Sequence, residues 1–239
     1  QQTFGPYYFG NPASMSFLKQ QKERTAHKLG VRFAIHEFPE TATQSMVEEA
    51  IEKLGNDTTV GGIILQLPVP KKFDRAALIQ KIPIEKDVDA LRGSTLVLPP
   101  AAGTLMAVLE RINFSPKGKT AVVVGRGLLV GEPVAQWLTQ EGAEVVVVGR
   151  DSFNPAALRR ADLIVGGAGA PHLITGDHIR KDAVCIDFGY GKKNGKLAGD
   201  FDPTTVAQKA AYLTPTPHGT GPVLVAKLFE NFFTLTRLG

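Results

Sequence analysis

The stretch "GKTAVVVGRGLLVGEPVAQWLTQEGAEVVVVGRD", residues 118–151, decides the fold. An apolar run ends in glycine, a Gly-rich turn follows, a helical pattern comes next, and a second apolar run closes it. That is strand, turn, helix, strand within about 30 residues, the span of one βαβ unit. Val122–Val124 forms the first strand, and Gly125, Gly127 and Gly131 punctuate the turn. Pro133 stands at the start of the helix, and Val145–Val148 forms the second strand. Glycines let backbone approach a pyrophosphate, and a helix N-terminus offers free N–H groups and a positive dipole. The spacing is G-x-G-x-x-x-G, which differs from the common dinucleotide fingerprint and also serves a plain βα turn. The second strand ends in Gly149-Arg150-Asp151. A carboxylate there favours ribose hydroxyls, whereas an arginine favours the extra phosphate of NADP. With Arg126 and Arg150 both in reach, NADP is expected over NAD.

Outward from this unit, short β-like runs alternate with helical patterns, which predicts α/β architecture with parallel strands. A strand is expected at Thr3–Phe9, a helix from Asn11-Pro12 to Gly30, a strand at Val31–Phe38 and a capped helix ending near Gly55. "VGGIILQLPVP" reads as a buried strand broken by prolines, Phe73–Lys81 as helix and "IPIEKDVDA" as a loop. The composition changes at "LRGSTLVLPPAAG", before a helix at Thr104–Ile112. A second βα pair runs through "ADLIVGGAGAP" and "DAVCIDFGYG", and "LTPTPHGTGP" is a Pro/Gly loop feeding a final helix. Two domains are expected: residues 1–99 with 222–239, and residues 100–221.

Composition narrows the function. Hydrophobic content of 43% and charged content of 21% predict a packed core. The net charge of +4 is spread along the chain, a bias towards small anionic ligands without a nucleic-acid surface. The single cysteine, Cys185, excludes a disulfide scaffold and fits a reducing, cytoplasmic compartment. No apolar run is long enough to span a membrane, and "QQTFGPYYFGNP" lacks the regions of a signal peptide. His36, His172 and His178 have no partners at ligand spacing, so no metal is expected.

"SMSFLKQQKERTAHKLG", residues 14–30, poses a separate question. At about 100° per residue, Met15, Leu18, Ala26 and Leu29 share one apolar stripe, and Lys22 falls in its middle. Either Lys22 buries its stem and wets its head, or the buried amine does chemistry.

"GGIILQLPVP", "IPIEKDVDA", "VVVGRGLLVGEP", "LIVGGAGAP", "VCIDFGYG" and "LTPTPHGTGP" occur in an order that resembles the methylenetetrahydrofolate dehydrogenase/cyclohydrolase family. The likeness runs from about Gly10 to Phe233. It implies two α/β domains flanking a cleft, the second Rossmann-like, usually paired as a homodimer. It implies oxidation of 5,10-methylenetetrahydrofolate by NAD(P)⁺ and hydrolysis of the methenyl product to 10-formyltetrahydrofolate. Tetrahydrofolate derivatives would be the partners, with no nucleic acid and no membrane.

The resemblance also assigns roles. Gln66 would hydrogen-bond the catalytic lysine, and Asp89 would grip the pterin, since a carboxylate accepts two bonds from adjacent N–H groups. Asp87 would order the loop. Leu18 and Pro68, with Pro215, Pro217, Gly219, Gly221 and Pro222, would line the folate side. Gly125, Arg126, Gly127, Val130, Gly131, Pro133, Arg150, Gly167, Gly169, Asp187, Gly189 and Thr214 would line the dinucleotide. A lysine desolvated among apolar residues has a lowered pKa and can move protons near neutrality. Counting from Pro12 puts Gln21 at the family's lysine position; counting back from Gly30 puts Lys22 there, and the apolar stripe chooses Lys22. The family's tyrosine one turn earlier is absent, His218 replaces a usual glycine, Gly127 a usual serine and Leu224 a usual threonine. The loop after Asp89 is shorter than the family's. These differences leave open a dehydrogenase with weak or lost cyclohydrolase, or a non-catalytic nucleotide- or folate-binding relic.

Overall fold

The structure, a computed structural model, describes residues 3–8 and 18–238, with side chains placed for 3–5 and 21–238. The chain divides into two compact units, residues 1–100 with 225–239 and residues 101–224.

In the first unit, β1 (Thr3–Tyr8) is the central strand of a parallel sheet. It pairs on one side with β2 (Arg32–Phe33) and β3 (His36–Glu37), and on the other with β4 (Val60–Leu65). The sequence predicts one strand over Val31–Phe38; the structure splits it. β2 faces Thr3 and Phe4, β3 faces Tyr7 and Tyr8, and the break lies opposite Gly5-Pro6. Pro6 has no N–H to give the ladder. β4 is buried along its whole length, as expected of a strand covered on both faces.

A π-helical turn (Leu18–Glu23) leads into α1 (Arg24–Lys28). The expected helix start at Asn11-Pro12 and the end of the first strand at Phe9 lie outside the described residues. Leu29 is a correction: placed on the buried stripe by periodicity, it is 48% exposed. The helix stops at Lys28 and Leu29 is its C-cap, so the side chain leaves the stripe. Gly30 follows with φ +68°, the left-handed geometry of a helix stop.

α2 (Gln44–Asn56) is capped by Thr43, whose hydroxyl accepts from Met46 N–H at 3.3 Å. α3 (Arg75–Gln80) starts later than expected because Asp74 is its N-cap, accepting from Ala76 and Ala77. α4 (Pro100–Arg111) begins ahead of the expected Thr104 because Pro100 opens the helix. Proline suits a first-turn position, where its missing N–H costs nothing.

The second unit holds a five-stranded parallel sheet. It comprises β5 (Thr120–Val124), β6 (Glu144–Val148), β7 (Leu163–Gly166), β8 (Val184–Asp187) and β11 (Tyr212–Leu213). The spatial order is β11-β8-β7-β5-β6. Alternate residues serve opposite faces. Ala121, Val123, Leu163, Val165 and Ile186 pack on α4 and on α5 (Gly131–Gln140) through Leu105, Val134 and Leu138. Val122, Val124, Ile164 and Cys185 pack on the other layer with Leu158, Ile179, Phe201 and Val206. That layer includes the short helices α6 (Pro155–Leu158) and α7 (Pro203–Val206). A hairpin that the sequence reading did not anticipate, β9 (Gly191–Lys193) and β10 (Lys196–Ala198), sits between β8 and α7.

The final helix, α8, spans Thr220–Leu238. Gly221 and Pro222, expected in the preceding loop, therefore belong to its first turn. From Val225 onward it is part of the first unit, where Leu228, Phe229 and Phe232 pack with Phe4, Ile64 and Val88. No described helix is long and apolar enough to cross a membrane.

Candidate active site

The first unit gathers Lys22, Gln66 and Asp89. Lys22 is 5% exposed, whereas Gln21 is exposed. The Lys22 Nζ donates to Gln66 Oε1 at 3.1 Å. Gln66 is set by the buried strand directly before it, and its Nε2 donates to Leu67 O at 3.1 Å, which orients the amide. Burial pushes the Lys22 amine below its ordinary range, and the charge of Asp89 pulls the other way. Burial likewise raises the Asp89 carboxyl, with Lys22 opposing. The site is thus an amine and a carboxyl that each lose water, beside a neutral amide that leaves the charge balance unaltered.

Asp89 is carried on a tightly held loop. Asp87 is fully buried, its backbone bridges to Ile63 of β4, and its Oδ2 accepts from Arg92 N–H at 2.9 Å. Its Oδ1 is buried without a hydrogen-bond partner among the described residues, and burial pushes the carboxyl up to about 6. Asn231 of α8 donates through Nδ2 to Val88 O at 2.9 Å and Leu98 O at 2.8 Å, closing the loop from behind. Sequence reasoning missed Asn231; the signal was a lone amide inside the apolar run "LFENFF".

Leu18 belongs to the π-helical turn, and its side chain lies outside those described. Pro68 follows a cis peptide bond. It lines a groove of about 380 Å³ with Val69, Pro70, Phe73 and the start of α3, a wall that includes none of Lys22, Gln66 and Asp89.

The second unit holds the glycine turn. Gly125 has φ +126°, and a Cβ there would sit 2.5 Å from Gly167 O. A Cβ on Gly131 would sit 2.2 Å from Gly125 O. One on Gly167 would meet Val130 Cγ1 at 2.8 Å. These three glycines are required by the fold itself. Gly127 is different, because a Cβ there meets nothing within 4 Å. Val130 precedes α5 with no side-chain cap, and Pro133 lies in its first turn. The start of α5 is thus left open in the way an anion site needs.

Beside the turn, Arg126 Nη2 donates to Val147 O at 3.1 Å. Arg150 donates to Ala168 O through Nη2 at 2.6 Å and Nε at 3.2 Å. Both arginines are exposed. Ser152 Oγ accepts from Gly149 N–H at 2.8 Å, so a hydroxyl joins the two guanidinium groups at the end of β6. Sequence reasoning passed over Ser152, whose place two residues beyond Arg150 was the available signal.

Asp187, expected at the dinucleotide, is 2% exposed and its carboxylate is turned to backbone. Oδ1 accepts from Gly189 N–H at 2.7 Å and from Asp200 N–H at 3.1 Å. Thr214 Oγ1 accepts from Asp187 N–H at 2.7 Å. Asp187 and Thr214 share the wall of a cavity of about 140 Å³ with His172, Gly199, Pro215 and Thr216. Gly169 has φ +62°. Pro215, Pro217, Gly221 and Pro222 are exposed, and a Cβ on Gly219 would meet Pro215 O at 2.2 Å. His218 holds φ +74°, a conformation glycine adopts without strain.

An open glycine turn on a parallel sheet, joined in one chain to a unit with a desolvated lysine beside an amide and a carboxyl, fits the class of dinucleotide-dependent enzymes. Comparison with known proteins gives the particular family. Residues 8–89 match the tetrahydrofolate dehydrogenase/cyclohydrolase catalytic domain, and residues 99–238 match the NAD(P)-binding domain of the same family. The chain belongs to the tetrahydrofolate dehydrogenase/cyclohydrolase family. It is 36% identical over 237 residues to the bifunctional protein FolD of Lactobacillus acidophilus, covering 95% of this chain and 83% of that one. It is 37% identical over 232 residues to that of Nitrosospira multiformis, covering 92% and 80%. Among solved structures, the Campylobacter jejuni FolD methylenetetrahydrofolate dehydrogenase/cyclohydrolase superposes with TM-score 0.94 at 29% identity, covering 99% of this chain and 88% of that one. The Trypanosoma brucei enzyme, complexed with NADP cofactor and inhibitor, superposes with TM-score 0.93 at 30% identity, covering 100% and 87%.

Proposed function

We propose that this chain oxidises 5,10-methylenetetrahydrofolate with NADP⁺ and hydrolyses the methenyl product to 10-formyltetrahydrofolate, with Lys22 as the proton-transfer group of the second step. The observation that carries it is the buried Lys22–Gln66 hydrogen bond of 3.1 Å. Hydride transfer asks little of acid–base groups and much of positioning. When bound, the dinucleotide accepts the hydride. The hydrolysis needs a base. As water attacks the methenyl carbon, one of its protons must leave; Lys22, whose amine burial pushes below its ordinary range, is placed to take it. The carbon–N5 bond then breaks as N5 takes that proton back from the lysine ammonium and the hydroxyl on the carbon releases its own to water, leaving the formyl group on N10. Gln66 aims the amine without adding charge, and Asp89 offers two acceptor oxygens to the N–H groups of the pterin.

NADP is proposed over NAD because Arg126, Arg150 and Ser152 surround the end of β6, where a 2′-phosphate would need cations and a hydroxyl. Gly127, with open space above it, suits the close approach of a phosphate. A homodimer is proposed in the cytoplasm: among the described residues β6 pairs only with β5, and its Val146 stays 38% exposed, as an edge awaiting cover would. Sedimentation tests that point.

The test of activity is the absorbance of the methenyl product, run with NADP⁺ and NAD⁺ side by side. Faster turnover with NADP⁺ is expected. No turnover with either overturns the dehydrogenase. Decay of added methenyltetrahydrofolate at the buffer rate overturns the cyclohydrolase alone.

A further inference from the structure

We infer that Asp200 is a positioning residue for the dinucleotide-binding loop 167–170, acting through backbone N–H groups and never touching the ligand. The inference rests on the reading that this loop borders the dinucleotide.

Asp200 is fully buried. Its Oδ2 accepts from Ala168 N–H at 2.6 Å and its Oδ1 from Ala170 N–H at 2.6 Å. Between those donors Gly169 takes the left-handed conformation, φ +62°. Successive N–H groups curled in this way form a concave seat for an anion, the arrangement other proteins give to phosphate. Here the protein fills the seat with its own carboxylate. The opposite side of the loop serves the glycine turn: Gly167 N–H donates to Val124 O at 2.8 Å, and Ala168 O receives Arg150. Asp200 therefore holds the loop from behind while Gly125 and Arg150 engage its front.

Asp200 is itself held. Its N–H donates to Asp187 Oδ1, and Ile174 N–H donates to Asp200 O at 2.9 Å. Asp187 also accepts from Gly189 N–H. Two carboxylates thus join three chain segments, at 166–170, 187–189 and 199–201. The approach is so close that a Cβ on Gly189 would lie 2.5 Å from Asp200 Cγ, and one on Gly166 3.1 Å from Asp200 Cβ. Charge-assisted bonds from a carboxylate to backbone N–H are among the stronger ones available, and they fix both loop donors to one side chain.

The test uses Asp200→Asn, which keeps the shape but offers one acceptor where two are needed. NADPH affinity is read by nucleotide fluorescence, and the dehydrogenase by its KM and kcat. The dissociation constant and KM for the dinucleotide should rise about ten-fold or more, as for loss of a buried charge-assisted bond. The kcat at saturating dinucleotide should stay within about two-fold. Cyclohydrolase turnover, which needs no dinucleotide, reports that the enzyme is folded. Asp200→Ser, which is smaller and removes the charge and one acceptor, should reproduce the KM effect and decides the matter if Asp200→Asn does not fold. Unchanged NADPH affinity in the variants overturns the inference. So does a parallel loss of affinity, kcat and cyclohydrolase, which marks a purely structural role. Failure of the unaltered enzyme to bind NADPH overturns the underlying reading of the loop instead.

Discussion

Lys22 Nζ lies 3.1 Å from Gln66 Oε1, and the same amide is anchored through Nε2 to Leu67 O. The amine thus meets a fixed, neutral acceptor. A carboxylate in that place would favour the charged amine; the amide adds no charge, and desolvation takes the amine below its ordinary range against the pull of Asp89. Lys22→Met should lower methenyltetrahydrofolate hydrolysis by about 10²-fold or more, the usual scale for a lost general base. The measurement is decay of the methenyl absorbance. If Lys19→Met has that effect and Lys22→Met has not, the assignment of the base is wrong.

Asp87 gives a pH prediction. Its carboxyl is raised from 3.8 to about 6, chiefly by burial. The folded state therefore binds more protons than the unfolded state between those values, and stability falls as pH rises through that window. The shift corresponds to about 3 kcal/mol. Asp87→Asn removes the buried charge and keeps an acceptor for Arg92 N–H. Its stability advantage over the parent should be absent below about pH 4 and grow to about 2–3 kcal/mol above pH 6. Urea unfolding at three pH values measures it; a pH-independent difference would falsify the role of the charge.

Asn231 bonds two carbonyls from the loop around Asp89. Asn231→Ala leaves Val88 O and Leu98 O without this donor and should cost about 1–3 kcal/mol. Because that loop carries Asp89, the KM for methylenetetrahydrofolate should rise more than the KM for the dinucleotide. Equal rises in both would remove Asn231 from the folate side.

Gly127 and Gly131 separate fold from function within one turn. Gly131→Ala drives a methyl into Gly125 O and should destabilise the enzyme, by about 1–3 kcal/mol if the turn can shift. Gly127→Ala meets open space, so the thermal midpoint should hold, and Gly127→Ser, which restores the hydroxyl usual in the family, should bind NADPH at least as tightly as the parent. Weaker binding in Gly127→Ser would place the phosphates elsewhere.

Much of the fold was legible because its driving forces are local. The β5–α5–β6 unit announces itself by two valine runs, the first of them buried, and a glycine turn. Lys22 and Gln66 stood out as polar residues where apolar neighbours were expected. What escaped the sequence depends on partners far along the chain. The break between β2 and β3 is set by Pro6 in a neighbouring strand. Asp200 reads as a turn residue in "AGDFDP", and its two N–H partners lie about 30 positions away. The β9–β10 hairpin did carry a local signal, Asn194-Gly195 with φ of +52° and +76°, the pair favoured in tight hairpins. Its strands are too polar and short to show alternation.

The π-helical turn at Leu18–Glu23 bears on how such chains are compared. Counting forward from Pro12 and backward from Gly30 gives lysine positions that differ by one residue. A π-turn is the structural form of a single added residue in an α-helix, taken up locally as a wider loop of backbone. Lys22 lies within that turn and Ala26 in the helix beyond it, and both are buried four residues apart. A one-residue difference in count taken up in this turn leaves the direction of the amine unchanged.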